Sequence, residues 1–372
     1  MLIGIDGNEA NVMEKVGVSM YTFNLLKEFH KHADSSTQFI TYLRNTPQTD
    51  LPEENDNFKY VVVSGSFAWS HFFFPLHLFT HKKPDILFCP AHYIPRFCPV
   101  KTVVTIHDLA YFYYPNEFLP KDLFKLKNWT NYALKKSSKV ISVSENTKKD
   151  IVKFYKIPEN KIQVIHNGFN PSLLSSSPPP PPISPSSPPL LSKYILYVGT
   201  LQPRKNISAL IDAFVILKKD HLDLSLILAG KKGWLYDEIF EKVKNLNLEK
   251  SVIFSGYISE AEKNELYKNA SVFVLPSLYE GFGNTPLEAL AVGTPVAVSN
   301  NSSLPEICGD ACLYFDPNDT IDMAKKIDMI LTDPNLRQIL INKGKEHVKQ
   351  FSWESCAKET LEVLRDPEIN SG

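Results

Sequence analysis

From 175 to 192 the chain holds Pro178 to Pro182 and then Pro185, Pro188 and Pro189. Proline fixes φ near about −65° and lacks an N–H donor, so this stretch can join neither a sheet nor a helix. It reads as an extended polyproline II or unstructured spacer, with docking to a proline-recognising domain as the lesser reading. Whatever folds must therefore form on either side of it. Before it, strand-like runs fall at 2–6, 39–43, 60–63, 85–89, 102–106, 140–143 and 163–165, with helical patterns between several of them. After it they fall at 194–198, 224–229, 252–254, 271–275, 295–298 and 312–315. Short apolar strands rich in Val and Ile, alternating with amphipathic segments, call for parallel sheets covered on both faces. The expected fold class is α/β, with two doubly wound Rossmann-like parallel-sheet domains whose ligands bind beyond the carboxyl ends of the strands.

The length of 372 residues suits two domains of ordinary size. Lys and Arg total 40 against 41 for Asp and Glu, a net charge of −1, which argues against a nucleic-acid partner held by bulk charge. Cys89, Cys98, Cys308, Cys312 and Cys356 are odd in number and form no Cys-x-x-Cys pair. They read as reduced, mostly buried thiols of a cytoplasmic protein. Met1 to Asp6 reads as a first strand and not as a signal peptide. No apolar run approaches the ~20 residues that span a bilayer. The aromatic segment Phe67 to Phe79, broken by His71, Pro75 and His77, reads first as a buried helix and second as a peripheral contact with a membrane surface.

The chemistry-bearing run is Glu280-Gly281-Phe282-Gly283-Asn284-Thr285-Pro286-Leu287-Glu288. Gly281 and Gly283 let the backbone turn sharply and approach a ligand closely. Thr285 followed by Pro286 reads as an N-cap and first helical position, which would place Glu288 in the first turn. A helix start offers unpaired N–H groups and positive partial charge to phosphate or sugar oxygens. Glu280 in the loop and Glu288 on the helix would then reach different parts of one elongated ligand. Arg204 and Lys205 follow another strand-like run in Tyr197-Val198-Gly199-Thr200-Leu201-Gln202-Pro203-Arg204-Lys205-Asn206, with Asn206 as a cap for the next helix. His107 ends a strand in Thr105-Ile106-His107-Asp108-Leu109, where Asp108 is placed to orient it. As loop residues, Glu280 and Lys205 are expected to carry little of the stability. No Asp-x-Asp motif and no His/Cys cluster of zinc spacing is present, so no metal site and no cofactor is expected.

With Val16-Gly17-Val18-Ser19-Met20-Tyr21, Val143-Ser144-Glu145-Asn146-Thr147 and Val164-Ile165-His166-Asn167-Gly168, these segments resemble, in order and over nearly the whole chain, the retaining glycosyltransferases of family 4. Ser19 and Met20 depart from the pattern, standing where the family shows a second glycine and often an arginine. The resemblance implies a GT-B fold with a cleft between domains 1–174 and 193–350, the proline-rich linker 175–192, and a last helix within 351–372, capped by Ser352, crossing back to the first domain. It implies His107 and Glu280 as catalytic residues contacting the transferred sugar. Gly17, Arg204, Lys205, Phe282, Gly283, Asn284, Thr285 and Glu288 would bind the donor, Glu288 through its ribose, with Tyr257 and Ile258 framing the base. His92 and His166 lack such support and read as structural. The segments 85–118 and 300–316 look most like bacterial-type mannosyltransferases using GDP-mannose, and UDP-glucose and related donors are the alternative. The acceptor implied is a glycan or lipid-linked glycan. A sugar-nucleotide 2-epimerase and an inactive binding scaffold are the competing readings.

Overall fold

The computed structural model describes residues 1–65, 69–169, 193–233 and 236–367. The spacer 175–192 lies outside the described residues, as do Phe67 and Ala68 of the aromatic segment. Tertiary contacts divide the chain into one unit of Met1–Gly168 with the segment from Phe351 onward, and a second unit of Phe169–Gln350.

The first unit carries strands β1 (Leu2–Asp6), β2 (Gln38–Leu43), β3 (Phe58–Val62), β4 (Ile86–Cys89), β5 (Lys101–Ile106), β6 (Lys139–Ser142) and β7 (Ile162–Val164). They form one parallel sheet in the order β3-β2-β1-β4-β5-β6-β7. β4 is buried at every position, as a strand covered on both faces must be. Helix Val18–Lys31 buries Tyr21, Leu25, Leu26 and Phe29, one stripe of a 3.6-residue period. The last helix, Trp353–Arg365, buries Trp353, Cys356, Ala357, Leu361 and Leu364 in the same core as Tyr21 and Leu25. Ser352 caps it by accepting the Ser355 N–H at 3.0 Å.

In the second unit, β8 (Tyr194–Val198), β9 (Ser225–Ala229), β10 (Val252–Gly256), β11 (Val272–Leu275), β12 (Val296–Ser299) and β13 (Leu313–Phe315) form a parallel sheet ordered β10-β9-β8-β11-β12-β13. The chain builds outward from β8 on one side and then crosses to β11 on the other. The loops leaving the carboxyl ends of β8 and β11 therefore diverge and leave a crevice between them.

Each strand-like run in the sequence is a strand, with ends displaced by two residues or fewer. Helix Asn284–Val292 begins before its expected start. Gly283, at φ 118°, takes the capping position, and Thr285 and Pro286 lie inside the first turn. A proline is harmless there because first-turn N–H groups have no intrahelical partner. Among the described residues no helix is long and apolar enough to cross a membrane.

Candidate functional site

The crevice of the second unit gathers residues from loops far apart in sequence. After β8 the chain makes the short turn Pro203–Lys205, and Asn206 takes the left-handed conformation at φ 55°. Asn206 holds the capping position by place only, because its side-chain amide donates to the Pro317 carbonyl at 2.8 Å. The loop after β11 brings Glu280 against this turn. Lys205 Nζ donates to Glu280 Oε1 at 2.5 Å, and Ser277 Oγ donates to the same oxygen at 2.6 Å. Arg204 Nη1 donates to the Tyr279 carbonyl at 2.6 Å and lies 4.0 Å from Glu280 Oε2. The Leu278 N–H returns to the Arg204 carbonyl at 2.9 Å, closing the clasp.

Serines after β12 support it from the other side. Ser302 Oγ accepts the Glu280 N–H at 3.0 Å, and Ser303 Oγ donates to the Glu280 and Phe282 carbonyls at 3.0 and 2.7 Å. Burial pushes the Glu280 carboxyl up, but Lys205 and Arg204 more than offset it and hold it below its ordinary range. The cluster is thus two cations and one carboxylate, a net positive crevice able to receive an anion.

Helix Asn284–Val292 starts beside this cluster, and its first N–H groups, those of Asn284 and Thr285, are the kind that receive anionic oxygens. Glu288 stands in the second turn and not the first. Oε1 accepts from Lys263 Nζ at 3.0 Å and Oε2 from the Tyr267 hydroxyl at 3.1 Å. Burial raises its carboxyl above the ordinary range. Lys263 opposes that shift and Glu260 adds to it.

Tyr257 and Ile258 follow β10, which β9 separates from β8 and the Arg204 turn. Tyr257 is 50 % exposed, with Lys231 Nζ 4.9 Å from its ring centre. These two residues therefore stand at the margin of the crevice.

In the first unit, Gly17 sits at φ 51° immediately before helix Val18–Lys31, in open space. Ser19 and Met20 lie within that helix's first turn, where no second glycine is required. His107 ends β5. Its Nε2 lies 2.7 Å from the Pro90 carbonyl, and since a carbonyl only accepts, Nε2 carries the proton and Nδ1 is the acceptor. His92 Nε2 takes the His107 main-chain N–H at 3.4 Å, and the Tyr21 ring lies edge-on at 4.8 Å. Burial, then His92, brings the ring down to about 4, so it is neutral at pH 7. Asp108 was expected to orient this ring. Its carboxylate accepts the Ala110 N–H at 3.0 Å, and the Pro90 carbonyl holds the ring through Nε2. His166 packs 5.7 Å from the Phe351 ring.

Sequence reasoning missed Ser277, Ser302, Ser303, Lys263 and Tyr267. Only Ser277, three residues before Glu280, carried a local signal. The others reach the site through the fold.

Residues 16–173 match the family model described as Glycosyltransferase Family 4, and residues 185–347 match that of glycosyl transferases group 1. The chain is 34 % identical over 296 residues to O-antigen chain mannosyltransferase B of Escherichia coli, covering 76 % of this chain and 74 % of that one. It is 32 % identical over 244 residues to O-antigen chain mannosyltransferase RfbU of Salmonella typhimurium, covering 65 % and 63 %. Among solved structures, sucrose-phosphate synthase from Thermosynechococcus elongatus aligns with a TM-score of 0.79 at 20 % identity over 100 % of both chains. WaaG, a glycosyltransferase involved in lipopolysaccharide biosynthesis, aligns with a TM-score of 0.73 at 15 % identity over 98 % of this chain and 100 % of that one.

Proposed function

The chain belongs to glycosyltransferase family 4 and has the GT-B fold, and we propose that it moves mannose from GDP-mannose to a hydroxyl of a glycan or lipid-linked glycan, retaining the α configuration and using no metal ion. The clasp of Arg204, Lys205 and Glu280 at the carboxyl ends of β8 and β11 carries this reading. In such a transfer the anomeric C–O bond breaks and its electron pair leaves with the diphosphate. The acceptor oxygen bonds to the same face, and its proton passes to the departing phosphate oxygen. The charge that develops on the diphosphate needs positive groups already in place, and Arg204, Lys205 and the N–H groups opening helix Asn284–Val292 supply them. Glu280 is assigned to the sugar and Glu288 to the ribose. The main chain from Phe282 to Thr285 is assigned to sugar and phosphate oxygens, and Tyr257 with Ile258 to the edge of the base. In the first unit, Gly17 permits close backbone approach, and neutral His107 offers Nδ1 to a sugar hydroxyl. Mannose is supported by the similarity of the chain to two O-antigen chain mannosyltransferases.

A glycan-lipid acceptor also implies contact with a membrane surface, and the first unit has a face suited to it. Every exposed phenylalanine among the described residues, Phe72, Phe79, Phe97 and Phe124, belongs to this unit. Their segments are packed together. The His71 ring lies 4.4 Å from Trp129, tilted by 56°, the Arg96 N–H donates to the Ser70 carbonyl at 3.2 Å, and Lys83 and Lys125 lie over Phe79 and Trp129. Exposed aromatics ringed by cations suit an anionic bilayer.

Product analysis by NMR with a panel of nucleotide sugars tests the reaction. An α-linked mannoside from GDP-mannose, formed undiminished in EDTA, is expected. A β-linked product would overturn retention, turnover with UDP-glucose alone would remove the mannose assignment, and activity restored only by magnesium or manganese would overturn the charge assignment.

A further inference from the structure

The two glutamates of the run sit in opposite surroundings. Two cations and a serine hold Glu280 below the ordinary carboxyl range, whereas Glu288 has a single cation, Lys263, with the Glu260 carboxylate beside it. Lys263 and Tyr267 stand four residues apart on helix Glu260–Asn269, so both project from one face. The Lys263 ammonium, 13 % exposed, bridges Glu288 Oε1 and Glu260 Oε1 at 3.0 Å each. Tyr267 is fully buried, and its hydroxyl donates to Glu288 Oε2 at 3.1 Å. Each oxygen of Glu288 is thus held by one donor from the same neighbouring helix.

An ionised carboxylate has about four acceptor positions, two per oxygen. With one on each oxygen used, a second remains on each, and the pair lies in the fixed plane of the group. Two acceptors side by side suit a vicinal diol, as they suit the two parallel N–H groups of a guanidinium. We propose that Lys263 and Tyr267 are positioning residues that keep Glu288 ionised and fixed in plane to receive the ribose diol of the donor nucleotide. The proposal rests on the assignment of Glu288 to the ribose made above. A mere helix-to-helix ion pair would be indifferent to whether the nucleotide carries that diol.

The test compares binding of GDP with 2′,3′-dideoxy-GDP by calorimetry, with UDP and 2′,3′-dideoxy-UDP in parallel, and follows the pair that the unaltered enzyme binds more tightly. The ribose form should be preferred by about tenfold or more, because a site built to accept hydroxyls rejects a ligand lacking them. Lys263→Met should weaken the ribose form and leave the dideoxy form nearly unchanged, so that the preference shrinks. Lys263→Arg should restore most of it. Tyr267→Phe, which keeps the ring and deletes one O–H, should shrink it less and carries the comparison if Lys263→Met does not fold. Equal weakening of both forms, or an undiminished preference in Lys263→Met, overturns the proposal. Glu288→Gln separates the two levels. If that variant loses the preference while Lys263→Met keeps it, the positioning role alone fails. If Glu288→Gln keeps it, the ribose assignment fails and the proposal falls with it.

Discussion

Lys205 and Glu280 meet with only 15 % and 13 % of their side chains exposed, so neither is the stability-neutral loop residue that its position in sequence suggests. Removing one member of a buried pair leaves the other charge uncompensated, at a cost of about 3–5 kcal/mol. Lys205→Met and Glu280→Gln should each lower denaturant stability by an amount of that order and cut transfer by about 10²–10³-fold. The double variant should recover part of the stability and none of the activity. Additive losses of stability in that cycle would show that the two side chains do not interact. His107 makes a second residue-level prediction. Its ring titrates near 4 where the ordinary value is 6.5, so between these pH values the unfolded chain takes a proton that the folded ring refuses. Stability is therefore lost as pH falls through that window, by up to about 3 kcal/mol. Asp6, raised by burial from 3.8 to about 6, acts in the opposite sense, since its native form keeps a proton and stability falls as pH rises across its window. His107→Asn should flatten the acid-side loss measured by urea unfolding at pH 4.5 and 7 and leave the Asp6 trend in view. An unchanged pH slope would remove His107 as the cause.

The start of helix Asn284–Val292 depends on one backbone conformation. Gly283 holds φ 118°, and a Cβ built there would stand 3.0 Å from Leu304 Cδ2. Gly283→Ala should cost roughly 1–3 kcal/mol in backbone strain and shift the N–H groups that follow it. The measured signature is a lower melting temperature together with a raised KM for the nucleotide sugar, and an unchanged KM would take those N–H groups out of the donor site. The aromatic face of the first unit is likewise a property of packed elements. Phe72→Ser with Phe79→Ser should reduce co-sedimentation with phosphatidylglycerol vesicles several-fold and leave the melting temperature nearly unchanged, because both rings are already exposed. Equal binding of the variant, or equal binding of the parent to phosphatidylcholine, would argue against an anionic bilayer as its partner.

The first unit is completed by the far end of the chain. Trp353, Cys356, Ala357, Leu361 and Leu364 fill its core, and burying a large apolar side chain contributes about 1.5–3 kcal/mol. Their combined loss is comparable with the 5–15 kcal/mol that stabilises an ordinary domain. Truncation after Gln350 should therefore unfold the first unit and leave the second resistant to proteolysis. A truncated protein that protects both units would show that the last helix is dispensable.

The sequence alone determined the class of fold, and it marked Arg204, Lys205 and Glu280, which the fold brings together. Strands buried at every position, such as β4 and β8, must be apolar throughout, so they carried a local signature in the sequence. Glycine, proline and charge at strand ends marked the loops in the same local way. The helix start at Gly283 escaped because every first-turn N–H lacks an intrahelical partner, and Pro286 fits more than one register. Which cation meets which carboxylate was decided by the tertiary structure. Lys205 and Glu280 are 75 residues apart and meet because the crossover places β11 beside β8, and Lys263 reaches Glu288 because their two helices pack together. No residue along the chain between such partners records their meeting, since electrostatic pairing depends on distance in space and the crossovers of the sheet set that distance.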